Sequence, residues 1–266
     1  MTYNLVKGTT IDTKIKANLY LFPHQDDEAM VFEKLREDLK KGIKPLCLFL
    51  TTNSELKMAH RRQRESQNFL NSLGVANENI FFLGQEFQVF DNHLMYQLEK
   101  LESSIQSKFS NLTIDSVIAP AYEGGHHDHD TAFCLGYRLS QFYSARLFQY
   151  WCYNGADTKL RFFRVRKPIL NPKTSQTKLI AIKRSLKDFL RTLLIPYFYP
   201  SQAKSWLGLY PDFIFNSFFR QIYLTEVFEF DLDKPPHSGV LLYERWRRTT
   251  YVTWKNCMLS YLKKNL

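Results

Sequence analysis

Twice in this chain a cluster of histidines and acids falls where an apolar, strand-like run gives way to helix-like sequence. The first cluster, Pro23-His24-Gln25-Asp26-Asp27-Glu28, follows a strand at Leu19 to Phe22 and precedes a helix from about Ala29 to Lys41. The second, Gly124-Gly125-His126-His127-Asp128-His129-Asp130, follows a strand at Asp115 to Ala119 and precedes helical spacing from Thr131 to Ser140. Four of the seven histidines lie in these two segments, so chemistry is expected there. Between them the alternation continues. Pro45 to Thr51 reads as a buried strand, and Leu56 to Leu73 as a helix stopped by Gly74. Asn79 to Leu83 reads as a short strand ended by Gly84, and His93 to Lys108 as a helix. A mixed strand, Ala145 to Tyr153, closes the pattern. Such alternation implies an α/β fold, with a mostly parallel sheet and helices on both faces.

The second half is less regular, with breaks at Pro168, Pro172, Pro196, Pro200, Pro211, Pro235 and Pro236. Leu179 to Leu194 and Tyr251 to Leu262 read as helices, and Val240 to Tyr243 as a short strand. The aromatic density there argues for an irregular extension packed on the first half, so residues 1–266 read as one domain. The charge is lopsided. Residues 1–154 carry 16 Lys/Arg against 18 Asp/Glu, and residues 155–266 carry 20 against 8, so the net +10 belongs to the second half. A basic half attracts a phosphorylated or acidic substrate, an anionic membrane or nucleic acid, or is simply a solvated surface. No apolar run reaches about 18 residues, the length that spans a bilayer. Met1 to Lys7 lacks the apolar segment of a signal peptide. Cys47, Cys134, Cys152 and Cys257 are scattered, as reduced thiols of a cytoplasmic protein would be.

In an open parallel sheet, ligands bind beyond the carboxyl ends of the strands, where the strand order reverses. In a 3-2-1-4-5 order the two clusters become neighbours, bringing His24, Asp26 and Asp27 close to His126 and His129. Capping alone would need one acid at the helix start, not three beside a histidine.

Pro23-His24-Gln25-Asp26-Asp27-Glu28 resembles the Pro-His-x-Asp-Asp-Glu signature of the LmbE-like, or PIG-L, family of sugar N-deacetylases. His126-His127-Asp128-His129 resembles that family's second motif, His-x-Asp-His. Weaker echoes lie at Arg62-Gln63-Arg64-Glu65, Leu73-Gly74-Val75, Phe82-Leu83-Gly84 and Tyr199-Pro200-Ser201-Gln202. The resemblance covers about residues 15–155. It implies a Rossmann-like three-layer fold and hydrolysis of the acetamide of an N-acetylglucosamine-type sugar with one bound divalent metal. By position it makes His24, Asp27 and His129 the metal ligands and Asp26 the general base. His126 would steady the tetrahedral intermediate, and Asp128 would orient a neighbour. Arg62, Arg64 and Asp91 become substrate contacts, although a solvated helix face serves the two arginines equally well.

Two imidazoles and a carboxylate leave a coordination position open for water, as catalytic zinc sites do. The set also suits Fe2+, Mn2+ or Co2+, so zinc is the default. The rival reading is a metal-dependent phosphoesterase or nuclease, with Asp26, Asp128 and Asp130 holding a second ion. Clustered acids repel phosphate without a metal, so a plain nucleic-acid binder is not expected. The basic groups Arg245-Trp246-Arg247-Arg248 and Lys183, Arg184, Lys187 and Arg191 point to an anionic sugar conjugate or to peripheral contact with an anionic membrane. His60, His93 and His237 are isolated, and His127 reads as filler.

Overall fold

The structure, a computed structural model, describes residues 16–156, 158, 164–169, 175–218 and 221–264. The N-terminal stretch and Pro172 lie outside the described residues. Strand β1 (Lys16–Phe22) leads through a 3-10 turn, Asp27–Met30, into α1 (Phe32–Lys40). Then come β2 (Lys44–Phe49), α2 (Leu56–Leu73), β3 (Ile80–Phe82), the short α3 (Leu83–Phe87) and α4 (Leu98–Lys108). Next are β4 (Thr113–Pro120), α5 (His127–Phe142), β5 (Arg146–Tyr150), and the small pair β6 (Tyr153–Asn154) and β7 (Arg164–Val165). The rest comprises β8 (Ser175–Lys183), α6 (Leu186–Phe198), α7 (Ala203–Ser217), β9 (Gln221–Phe230), α8 (Leu242–Arg245) and α9 (Tyr251–Lys263).

The main sheet runs β3-β2-β1-β4-β5-β9-β8. Its first five strands are parallel and follow the expected 3-2-1-4-5 order. Strands β9 and β8 extend it antiparallel at the β5 edge. Both faces of the parallel part are buried. Leu19 and Leu21 of β1 face one core, and Tyr20 and Phe22 face the other. The same alternation in β2 puts Leu46 and Leu48 opposite Cys47 and Phe49. Burial on both sides is why these strands read as unbroken apolar runs. One core is covered by α4, α5 and α9 through Leu101, Phe133 and Trp254. The other is covered by α1, α2, α6 and α7 through Leu35, Phe69, Ile195 and Trp206. The result is three layers.

The C-terminal part is not irregular. Leu179 to Leu194 is not one helix but the end of β8 followed by α6. Ile180 and Ile182, two apart, turn toward the second core while Leu179 and Ala181 are exposed, which is strand periodicity. The helix then starts at a capping box. Ser185 Oγ accepts from Asp188 N–H at 3.3 Å, and Asp188 Oδ2 accepts from Ser185 N–H at 2.6 Å. β9 went unread, although Ile222, Leu224 and Val227 are buried along it. Val240 to Tyr243 is not a strand. Glu244 accepts from the N–H groups of Leu241 (3.4 Å) and Tyr251 (2.8 Å) and fixes a helical turn there. Pro196 and Pro211 sit inside α6 and α7 instead of ending them, beside Ile195 and Phe213, which packing buries fully. Gly84 does not stop β3 but belongs to α3, and the helix expected from His93 begins at Leu98.

Candidate active site

Since β1 pairs with β4 in parallel, their carboxyl ends open on the same edge of the sheet. The chain leaves β1 toward β2 and β3 and leaves β4 toward β5, so this is where the strand order reverses. Both clusters sit there. His126 is the N-cap of α5, so His127, Asp128 and His129 occupy its first turn, four residues before the helix was expected. Asp26 has φ 119°, a left-handed conformation that a residue with a Cβ adopts only under constraint. Its N–H donates to Glu28 Oε2 at 3.0 Å. Glu28 is fully buried and also accepts from Tyr199 OH at 2.8 Å.

The two clusters meet. The ring centroids of His24 and His126 are 4.7 Å apart, and those of His24 and His129 are 5.3 Å apart. His24 Nδ1 is 3.4 Å from Asp27 Oδ2, and His129 Nε2 is 3.2 Å from Asp27 Oδ1. One ligand atom from each of His24, Asp27 and His129 lies within 4.8 Å of the others. Ligands held at about 2.1 Å in a tetrahedral set are separated by roughly 3.4 Å, so the spacing suits a single ion. His129 supplies an independent sign. It is 1% exposed, yet its Nδ1 has no hydrogen-bond partner and its Nε2 meets only the Asp27 carboxylate. A buried imidazole is normally satisfied, and an ion would satisfy this one.

Two other groupings are less suited. His24, His126 and Asp128 also converge, but Asp128 is already occupied. Its Oδ2 accepts from His24 Nε2 at 3.2 Å and Asn92 N–H at 2.6 Å, and its Oδ1 from Leu94 N–H at 3.3 Å. This holds His24 by Nε2 and leaves Nδ1 facing Asp27, the arrangement in which a carboxylate orients a metal-binding histidine. The pull on Leu94 also gives that residue a separate 3-10 turn ahead of α4. Glu123, His129 and Cys152 form the third grouping. Glu123 is filled by the N–H groups of Cys152 (2.8 Å) and Tyr153 (3.0 Å) and by Asn154 Nδ2 (3.0 Å). Burial pushes the Cys152 thiol up, away from the thiolate a metal needs.

The electrostatics sort the remaining groups. Burial pushes the Asp26 carboxyl well above the usual range, and Asp27 and Glu28 add to this. Burial would also raise Asp27, but His129 and His24 outweigh it and hold Asp27 low. His126 is pushed well below its ordinary value, by burial first and then by His24. Its Nδ1 accepts from Asp128 N–H at 3.1 Å, so the ring proton sits on Nε2. A protonated, cationic His126 is therefore not what the site holds. It holds a neutral ring with one N–H to donate.

A cavity of about 530 Å³ opens over these groups. His24, Asp26, Asp27, His126 and His129 line it together with Arg62 and Asp91. Arg62 donates to Asp91 Oδ2 at 2.8 Å, and Thr51 Oγ1 holds the other oxygen at 2.7 Å. Arg64 does not join them. It is exposed and borders a separate depression with His60 and Gln67, because two residues on a helix turn the side chain about 200° away. Asp130 is also elsewhere, fully buried with Oδ1 accepting from Glu123 N–H (3.1 Å) and Gly124 N–H (3.2 Å). Of the basic groups named from sequence, Trp246 and Arg248 line the cavity. Arg248 bonds Asn92 Oδ1. Arg184 is instead held by Glu33 at 2.8 Å, and Arg191 donates to Ser72 O at 2.9 Å. His60, His93 and His237 are not in the lining, and His127 Nε2 lies 3.2 Å from Asn92 O. Sequence reasoning missed Tyr153, Ser205, Gly208 and Leu209; the Gln202 wall was foreshadowed only by the Ser201-Gln202 echo.

Residues 19–139 match the model of the PIG-L family, described as GlcNAc-PI de-N-acetylase. No curated protein sequence matches the chain. Among solved structures it resembles the zinc-inhibited form of teicoplanin deacetylase Orf2, with TM-score 0.61, 12% identity, and 82% of this chain and 100% of that chain covered. It also resembles the A40926 pseudoaglycone deacetylase Dbv21, with TM-score 0.57, 13% identity, and coverage of 82% and 98%. A third neighbour is N,N'-diacetylchitobiose deacetylase from Pyrococcus horikoshii, with TM-score 0.51, 15% identity, and coverage of 82% and 85%. At these identities the likeness is one of fold. Both motifs lie inside the segment, residues 19–139, that matches the PIG-L (LmbE-like) family model.

Proposed function

We propose that this protein is a metal-dependent N-deacetylase acting on an N-acetylated amino-sugar conjugate. The carrying observation is the convergence of His24, Asp27 and His129, with His129 buried and its Nδ1 without a partner, in the lining of a cavity beside Asp26. His24, Asp27 and His129 would hold one divalent cation, zinc by default. A cation there supplies Lewis acidity to water and to the amide carbonyl. Asp26, its proton affinity raised by burial, accepts the water's proton as the water attacks and passes it to the leaving amine. His126 Nε2–H donates to the carbonyl oxygen as negative charge gathers on it. Asp128 keeps His24 in register. Arg62 is paired with Asp91, and Arg248 adds a positive charge to the cavity wall, which fits an anionic conjugate.

Both halves of the sequence wall the cavity, which supports reading residues 1–266 as one functional unit. A two-ion phosphoesterase is less well supported, since hydrogen bonds already occupy both oxygens of Asp128 and Asp130 lies outside the cavity lining. The three fold neighbours named above are deacetylases, in line with the proposal. The test is amine release from N-acetylglucosamine and from its diphosphate conjugates. Turnover should favour the anionic conjugates, and Asp26→Ala should keep its metal while losing about 100-fold or more in kcat. Unchanged turnover in Asp26→Ala removes its assignment as base, and equal rates on free and conjugated sugar remove the anionic substrate.

A further inference from the structure

Helix α6 turns most of its large apolar side chains to the outside. Its inward face carries Asp188 and Thr192 beside Ile195, all fully buried, with Asp188 bound to Arg36 at 2.6 Å. Its outward face carries Leu186 (73% exposed), Leu190 (51%), Leu193 (40%), Leu194 (54%) and Tyr197 (82%). Their spacing of four, three, one and three makes a continuous apolar stripe. α7 lies against it, with Tyr210 OH bonded to Leu193 O at 2.8 Å and Phe189 and Phe218 rings 5.2 Å apart. α7 and its C-cap residue show a stripe of their own: Leu207 (78% exposed), Pro211, Phe215 (51%) and Phe218 (68%). Isolated exposed leucines are ordinary, but two adjoining stripes mark an interaction surface.

Charge decides what covers it. Lys187 and Lys204 are exposed on these two helices, and Lys183 just ahead of them. The acids between residues 186 and 218 are Asp188, which is buried, and Asp212, which accepts from Val165 N–H at 2.8 Å. A second copy of this chain would set these lysines against their own kind. An anionic lipid surface would complement them. The helices have 13 and 15 residues, about 20 Å each, too short to cross a bilayer but long enough to lie on one. No helix among the described residues is long and apolar enough to span a membrane.

We propose that the α6–α7 hairpin docks this protein on an anionic membrane surface, apolar stripes in the headgroup layer and lysines at the phosphates. α7 also walls the cavity with Ser205, Gly208 and Leu209, adjoining exposed Leu207. Docking would therefore bring the cavity mouth to the lipid surface. This step does not depend on which amide is cleaved.

The test is co-sedimentation of the full chain with vesicles of phosphatidylcholine alone or with phosphatidylglycerol added. Wild type should pellet with the anionic vesicles and release as salt rises. Leu190→Glu with Leu194→Glu should weaken binding by about tenfold or more, and Lys187→Glu with Lys204→Glu by about fivefold per charge. All four positions are exposed, and light scattering with circular dichroism checks that the variants stay folded and monodisperse. Metal content, which reports on the site, should be unchanged. Failure to bind anionic vesicles, or equal binding by the leucine variants, overturns the proposal. So does a wild-type dimer that the leucine variants dissociate, which would make a second copy the occupant.

Discussion

Asp128→Asn isolates the role given to the acid of the second cluster that bonds His24. Asp128 accepts three hydrogen bonds: from His24 Nε2, Asn92 N–H and Leu94 N–H. An asparagine must turn its amide nitrogen toward one of these donors. Facing Leu94 breaks the longest contact, at 3.3 Å, whereas facing His24 and Asn92 breaks two. The variant should take the first orientation, keeping His24 in place but losing one hydrogen bond to a charged acceptor. That costs about 1.5–3 kcal/mol of stability, or about 3–12 °C in Tm at this size. Burial alone would raise the carboxyl, but His24 and His126 hold Asp128 well below the usual range, so it is ionised at neutral pH. Neutralising it removes charge that makes His24 a better donor atom, and metal affinity should fall about 10–100-fold. Competition against a chromophoric chelator measures that Kd, and a thermal melt measures the stability. A variant that melts lower yet binds metal like wild type would refute the orienting role and leave Asp128 a structural acid.

Two more predictions concern the frame around the site. A Cβ on Gly125 would lie 2.0 Å from the Tyr153 carbonyl oxygen, so Gly125→Ala must push the His126 loop off β6. It should cost about 1–3 kcal/mol and lower kcat with a smaller change in KM; wild-type kinetics would show that the loop can move freely. Burial pushes the Glu28 carboxyl up to about 7 from an ordinary 4.5. The native state thus holds this proton more tightly than the unfolded chain. Its contribution is complete below about pH 4.5 and lost as pH rises through 7, on the order of 3 kcal/mol. Glu28→Gln should flatten that slope in Tm against pH, and equal slopes would assign the effect to other groups.

The parallel core and the meeting of His24, Asp27 and His129 were legible because both rest on local signals. Each motif follows a strand whose two buried faces leave an unmistakable apolar run, and strand order then places the motifs together. Arg64 could have been set aside from sequence alone, since it lies two residues from Arg62 on a helix. The capping box Ser185-x-x-Asp188 likewise marked the start of α6. Tyr153, Ser205, Gly208 and Leu209 were not legible. They reach the cavity only through the antiparallel extension and the α6–α7 hairpin, contacts with no local signature. The neutral state of His126 was also hidden, because it follows from a backbone N–H that only the folded α5 start directs at Nδ1.

The most direct test of the central claim is the divalent-metal content of the purified protein, measured beside His129→Ala. The account predicts about one ion per chain in wild type and near none in the variant, with both proteins folded. An ion retained by His129→Ala, or none bound by wild type even when metal is supplied, would contradict it.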